Sequence, residues 1–186
     1  MMDMLSGHLL VSSPDLADPN FAKTVVLIAV HGEEGALGLI LNRETNTPLP
    51  EVWEKVSQSD CLRTDNVRHG GPVSGSLMAV HDQRPHANLV VTEDVYVATE
   101  LNAMESLAGS DEGQVLFYVG HSGWGPGQLE TELADGSWLV LPAAAEHVFG
   151  DHDTNALWKD TLTEIGRRQV QSVIPIKHVP DNPRLN

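Results

Sequence analysis

The sequence predicts an α+β domain built on a mixed or mostly antiparallel sheet. Three observations carry this. Residues 23–30, KTVVLIAV, and residues 36–42, ALGLILN, are nearly unbroken apolar runs of strand length, as strands covered on both faces require. Residues 99–109 and 154–165 instead space their apolar side chains at helical intervals, with a glycine after the first stretch. Strands and helices follow one another without a strict βαβ alternation, which argues against a doubly wound parallel sheet.

Taken in order, residues 8–12 form a short apolar strand ended by Ser13-Pro14, and Asp15 to Pro19 reads as a turn. The runs at 23–30 and 36–42 pair as a hairpin through a turn at residues 31–35. Pro48 and Pro50 open a short helix with Val52, Trp53 and Val56 on one face. Arg68-His69-Gly70-Gly71-Pro72 reads as a turn or tight corner. Residues 77–81, 89–91 and 95–98 are short strands. Thr99 is the expected N-cap of a helix carrying Leu101, Met104 and Leu107, stopped by Gly109.

A buried strand follows at 115–119, and Pro126 is expected as the first residue of a helix that places Leu129 and Leu133 on one face. Residues 137–141 are a strand, and Pro142 starts a short helix broken at Gly150. The last helix runs from Thr154 to about Ile165 with Trp158, Leu162 and Ile165 on one stripe, capped by Asp153 or Thr154, and residues 170–179 look extended. One domain spanning residues 1–186 accommodates all of this, since single cores keep growing to about 250 residues.

Charge sharpens the reading of function. Lys and Arg number 11 against 26 Asp and Glu, a formal net charge of −15. Between Arg84 and Lys159 there is no basic Lys or Arg, while twelve carboxylates fall in the same interval. A DNA-binding surface neutralises on the order of six to ten phosphates, so direct nucleic-acid binding is disfavoured. No apolar run reaches the roughly 18 residues of a membrane span, and the opening residues lack a secretory pattern. Cys61 is the only cysteine, so the expected compartment is the cytoplasm and the thiol is read as inert.

Residues 114–133, QVLFYVGHSGWGPGQLETEL, draw the most attention. An apolar run breaks into clustered glycines around Trp124, an aromatic that looks exposed, and leaves as a polar helix. Gly120-His121-Ser122-Gly123 approaches the G-x-S-x-G elbow of a nucleophilic serine, but Trp124 stands where the last glycine belongs. His121 and Ser122, adjacent on a strand, face opposite ways. A phosphate cradle is no better supported: Gly123, Gly125 and Gly127 are followed by Gln128, Pro126 removes a donor, and Glu130 and Glu132 repel anions. The nine histidines lack metal-ligand spacing. No catalytic set, cofactor or metal site is called for. Asp18, Asn42 and Glu130 sit where capping and turn bonds usually occupy polar groups, and Trp53, Trp138 and Trp158 read as core anchors.

Four blocks of residues resemble the AlgH/YqgE family of small bacterial proteins. Pro14, Leu16, Asp18, Pro19 and Phe21 match its opening motif. Residues 35–43, GALGLILNR, match its glycine-rich strand. His69-Gly70-Gly71-Pro72-Val73 fits its G-G-P-V corner, and Gly120, Gly123, Trp124, Gly127, Gln128, Leu129, Glu130 and Glu132 match its longest block. The resemblance covers nearly the whole chain, although the tail, residues 181–186, departs from the branch that ends in Gly-His-Ala.

The resemblance implies a bifurcated or partly barrel-like sheet surrounded by helices. Members are often labelled transcriptional regulators, yet no established DNA-binding motif belongs to the family. Many carry an aromatic and an alanine where this chain has His121 and Ser122, which weakens a serine hydrolase further. The expectation is a non-enzymatic regulatory or interaction protein that binds a protein partner or small ligand near the Gly-Trp-Gly corner. Asn42, Gly71, Trp124, Gln128 and Glu130 are its candidate contacts. A hydrolase using Ser122 and a transcriptional regulator are the alternatives.

Overall fold

The structure is a computed structural model that describes residues 4–151 and 153–173. Among the described residues ten strands form one mostly antiparallel sheet in the order β10-β1-β2-β3-β9-β6-β8-β7, with β5 joining β9 from the side and β4 pairing β5. The strands are β1 (His8–Ser12), β2 (Val25–Gly32), β3 (Gly35–Ile40), β4 (Glu44–Pro48), β5 (Asn66–His69), β6 (Val73–His81), β7 (Leu89–Val90), β8 (Tyr96–Ala98), β9 (Val115–Trp124) and β10 (Trp138–Pro142). Among the described residues five α-helices accompany them: α1 (Leu49–Trp53), α2 (Leu101–Ala108), α3 (Gln128–Ala134), α4 (Ala145–Phe149) and α5 (Thr154–Val173).

The unbroken apolar runs have the expected cause. Leu9, Val11 and Leu27 point into a core with Leu157 and Ile165 of α5, while Leu10, Val26 and Ile28 point the other way, onto Leu129 of α3 and Trp124. With both faces covered, alternation in hydrophobicity disappears. A third core lies beneath α1 and α2, where Val67, Leu77 and Phe117 meet Trp53, Met104 and Leu107. Trp53 and Trp138 are buried, and the Trp158 indole donates to the Ser12 carbonyl at 2.9 Å.

β9 organises the sheet. On one side it pairs antiparallel with β6, from Val115↔His81 to His121↔Val73. On the other side its partner changes. Tyr118 and Val119 pair parallel with Arg68 and His69 of β5, whereas Ser122 to Trp124 pair antiparallel with Gly38 to Ala36 of β3. The expected bifurcation is this exchange of partners, at Gly120, whose φ is 73°.

Gly70 and Gly71 fill the notch between the branches. The Gly70 N–H donates to the Val119 carbonyl at 3.0 Å, and the Gly70 carbonyl accepts from Ile40 N–H at 2.9 Å. Backbone rests on backbone here. A Cβ on Gly71, whose φ is +152°, would meet the His121 carbonyl and the Ser122 nitrogen at 2.4 Å.

Several element boundaries differ from the sequence reading. β9 was expected to stop at residue 119 but runs on through Gly120 and Gly123 to Trp124, because β3 and β6 supply hydrogen-bond partners that local propensity does not register. Arg68 and His69, expected in a corner, belong to β5. Thr99 is not the cap of α2: the Asn88 Oδ1 accepts the Thr99 and Glu100 N–H groups at 2.7 and 2.9 Å. Pro126 lies outside α3, which begins after Gly127 in a left-handed conformation. Pro142 ends β10, and α4 starts only at Ala145. α5 continues to Val173, so residues 170–173, expected as extended, are helical, and the rest of that expected segment lies outside the described residues.

Two consequences are measurable. Gly71→Ala should lose about 3 kcal/mol or more, since the clash is with backbone that β3 and β6 both hold. Gly127→Ala, with no atom within 4 Å of its Cβ and a φ of +72°, should lose only about 1 kcal/mol from the left-handed conformation. Urea unfolding of the two variants checks the ranking.

Acid should also weaken the fold through His81. It is fully buried at the end of β6, its Nδ1 accepts the Gln83 N–H at 3.2 Å, and its Nε2 has no partner. Burial, reinforced by His86, lowers its pKa to about 4. A base harder to protonate in the folded state contributes stability above its unfolded pKa near 6.5, and that stability is lost as pH falls toward about 4. The loss is on the order of 3 kcal/mol. His81→Leu should flatten this part of a stability profile measured between pH 7 and 4.

Candidate functional site

The Gly-Trp-Gly corner is built from the end of β9 and the start of α3. Trp124 looked exposed from the sequence; it is 5% exposed. Its ring stacks on Phe21 at 6.0 Å and meets Trp138 edge-on at 6.1 Å, closing the core under α3. One carboxylate holds both indoles: Glu132 Oε2 accepts from Trp124 Nε1 at 2.9 Å and from Trp138 Nε1 at 2.8 Å. Its other oxygen accepts from Gln128 Nε2 at 2.9 Å, while Gln128 Oε1 receives the Gly125 N–H at 3.0 Å. The corner is therefore one connected network in which three of the four bonds are charge-assisted by Glu132.

Glu130 faces elsewhere. Its Oε1 lies 2.8 Å from His31 Nε2, and because His31 Nδ1 accepts the Leu5 N–H at 3.0 Å, Nε2 carries the proton and donates. The Glu130 backbone N–H and His31 together hold its carboxyl below the ordinary range. Asn42 is at the opposite end of β3 from the Trp124 pairing, where its Oδ1 accepts the Val25 N–H and its Nδ2 donates to the Lys23 carbonyl, both at 2.9 Å. Lys23 has a φ of 56°, so Asn42 secures a strained turn. Gly71 sits in the branch notch. Trp124 and Gln128 thus share a network, and Asn42, Gly71 and Glu130 each serve a different contact.

Ser122 is fully buried, and its hydroxyl donates to the Gly70 carbonyl at 3.2 Å. His121, its neighbour on the strand, points to the other face, and its Nδ1 is buried without a hydrogen-bond partner. A nucleophile needs an approachable oxygen and a base on its own side, and this pair has neither. Among the described residues no three His, Cys, Asp or Glu side chains gather as metal ligands.

A cleft of about 430 Å³ opens instead between β4, β5, the start of β9 and the end of α4. Its lining includes Glu44, Arg63, Asp65, Arg68, Leu116 and Phe149. Arg63 donates to the carbonyls of Leu107 at 2.8 Å and Glu112 at 2.5 Å, and Arg68 to that of Leu41 at 3.0 Å. Among the described residues, the ion pairs within 4 Å are His31–Glu130, His147–Glu164 and Arg168–Glu164, so neither cleft arginine is paired with a carboxylate.

The sequence reading missed this cleft. Its one local signal was a pair of arginines, Arg63 and Arg68, in a polar stretch of a strongly acidic chain. The role of Glu132 was also missed, although its i, i+4 spacing from Gln128 hinted at a pair on one helix face.

A family model described as DUF179, AlgH-like, matches residues 9–169. The chain belongs to the AlgH-like family. A UPF0301 protein of Chlamydia felis is 33% identical over 186 residues, covering 97% of this chain and 94% of its own length. A UPF0301 protein of an Azoarcus species is 38% identical over 154 residues, covering 78% of this chain and 81% of its own. The solution structure of AlgH from Pseudomonas aeruginosa superposes with a TM-score of 0.73 at 28% identity, covering 94% of this chain and 96% of that one. A crystal structure from Corynebacterium diphtheriae, at 21% identity and a TM-score of 0.70 over 88% of each chain, shares the fold. The AlgH-like fold therefore agrees with the α+β expectation. No helix among the described residues is long and apolar enough to cross a membrane.

Removing the Glu132 carboxylate strands two indole N–H groups in a nearly dry site. Glu132→Ala should therefore destabilise by about 2 kcal/mol and change the tryptophan emission of the native state. Urea titration followed by fluorescence checks both.

Proposed function

We propose that this AlgH-like protein acts by binding rather than by catalysis, as a cytoplasmic regulatory or interaction protein whose small-molecule site is the arginine cleft. The observation that carries this reading is the cleft itself: about 430 Å³ of open space, within the range of small-ligand sites, beside two guanidinium groups without carboxylate partners. The corner argues for architecture by contrast. Its tryptophan is core, its serine is sealed, and its polar side chains bond to one another. The lone thiol of Cys61 is consistent with a reducing compartment. A net charge of −15 weighs against direct contact with nucleic acid.

A protein partner at the corner is the second reading. It is favoured by the exposed turn from Gly125 to Gln128, which the Gly125 to Gln128 bond holds in one conformation, since a preorganised turn loses little entropy on docking.

The test is amide chemical-shift mapping on the isotope-labelled full chain, titrated with a low-molecular-weight fraction of bacterial extract. Shifts are expected at residues 44–45, 63–68, 113–116 and 148–150. Shifts confined to 125–128 would move the site to the corner, and an unchanged spectrum would remove the small-ligand reading. Fluorophosphonate treatment is expected to leave Ser122 unlabelled.

A further inference from the structure

The row of side chains across β4, β5 and β9 narrows the chemistry of the cleft. Glu44 is the register partner of Arg68 on one side, and Tyr118 is its partner on the other, so the three lie side by side on one face of the sheet. Leu116, two residues before Tyr118, shares that face and lines the cleft. Val148 and Phe149 of α4 form an apolar wall nearby.

Arg68 stands directly opposite Glu44 without pairing to it. It spends one nitrogen on the Leu41 carbonyl, and Arg63 spends its Nε and one terminal nitrogen on carbonyls. Five N–H donors belong to each guanidinium, so both keep donors to offer. Behind Arg68, the Tyr118 hydroxyl is fully buried with no aligned hydrogen-bond partner. Burial pushes its phenol pKa up, and the nearby Arg68 pulls against that. Two guanidinium groups with spare donors lining one cleft, beside apolar side chains that weaken solvent screening, form a place where an oxyanion is the missing component.

We propose that this cleft binds a small organic anion through its phosphoryl or carboxylate group, held by Arg68 and Arg63. The proposal rests on the small-ligand reading above. Glu44 and Asp65, which also line the cleft, disfavour a bare multiply charged anion. They select a ligand carrying hydroxyl or amino donors beside the anionic group.

The experiment is a titration of the full chain with O-phosphoethanolamine and, separately, with β-alanine, an amino-bearing phosphoryl and an amino-bearing carboxylate, at matched ionic strength, read by amide shifts and calorimetry. Saturable shifts at 63–68 and 116–118 are expected, and whichever probe binds more tightly identifies the anionic group as phosphoryl or carboxylate. Arg68→Gln should weaken binding at least about tenfold. Arg63→Gln, at the second guanidinium of the lining, should weaken it about threefold or more. Lys159→Gln, remote from the cleft, should bind as the parent does.

Absence of saturable shifts with both probes, or equal affinity in Arg68→Gln, overturns the proposal. If extract components bind in the cleft while neither anion competes with them, the binding reading stands and the anionic ligand class falls.

Discussion

The contact on which the rest of the structure depends is backbone against backbone: Gly70 and Gly71 lying on Gly120 to Ser122. A β-strand ordinarily keeps one neighbour on each side. β9 instead exchanges a parallel partner for an antiparallel one at Gly120, and that exchange leaves carbonyl and N–H groups pointing into a notch. Buried backbone groups must be paired, and only a segment without side chains fits. Gly70 meets three of these needs at once, through Val119, Ile40 and Ser122. The glycines that resembled a catalytic elbow are explained by this close approach, and so is the buried serine.

The branch also separates two surfaces with different chemistry. Beyond Gly120 the end of β9 enters the tryptophan core, where Glu132 ties Trp124 to Trp138 and α3 closes over them. Before Gly120, the same strand borders β5 and supports the arginine cleft. One region bonds its indoles, Gln128 and Glu132 to one another. The other leaves two guanidinium groups without a carboxylate partner. That asymmetry is what favours the proposed site in the cleft over the residues whose pattern first suggested one.

Acidic composition acts on both surfaces. Twelve carboxylates and no Lys or Arg between residues 84 and 159 give a field that repels polyanions over the length of that segment, screened within about 8 Å at physiological salt. A small anion in a partly enclosed cleft meets mainly the nearest guanidinium groups. A nucleic acid would meet the whole surface. The same composition can therefore disfavour one ligand class and permit the other.

Much of the fold was legible in the sequence, because it follows from local rules. The apolar runs at β2 and β3, the helical stripe of α5, and the glycine stops after α2 and α4 declare themselves by periodicity and backbone preference. The family blocks are equally local. What only the tertiary structure decided depends on residues far apart in the chain. β9 continues through its glycines because β3 and β6 hold it, and the backbone leading into α2 is held by Asn88, eleven residues from Thr99. Trp124 is buried because Phe21 and Trp138 arrive from other strands and loops. The cleft combines residues near 44, 63–68, 113–116 and 149, which no window of sequence contains. Hydrophobic periodicity reports which face of an element is covered; the packing of distant elements determines which polar groups are left without a partner.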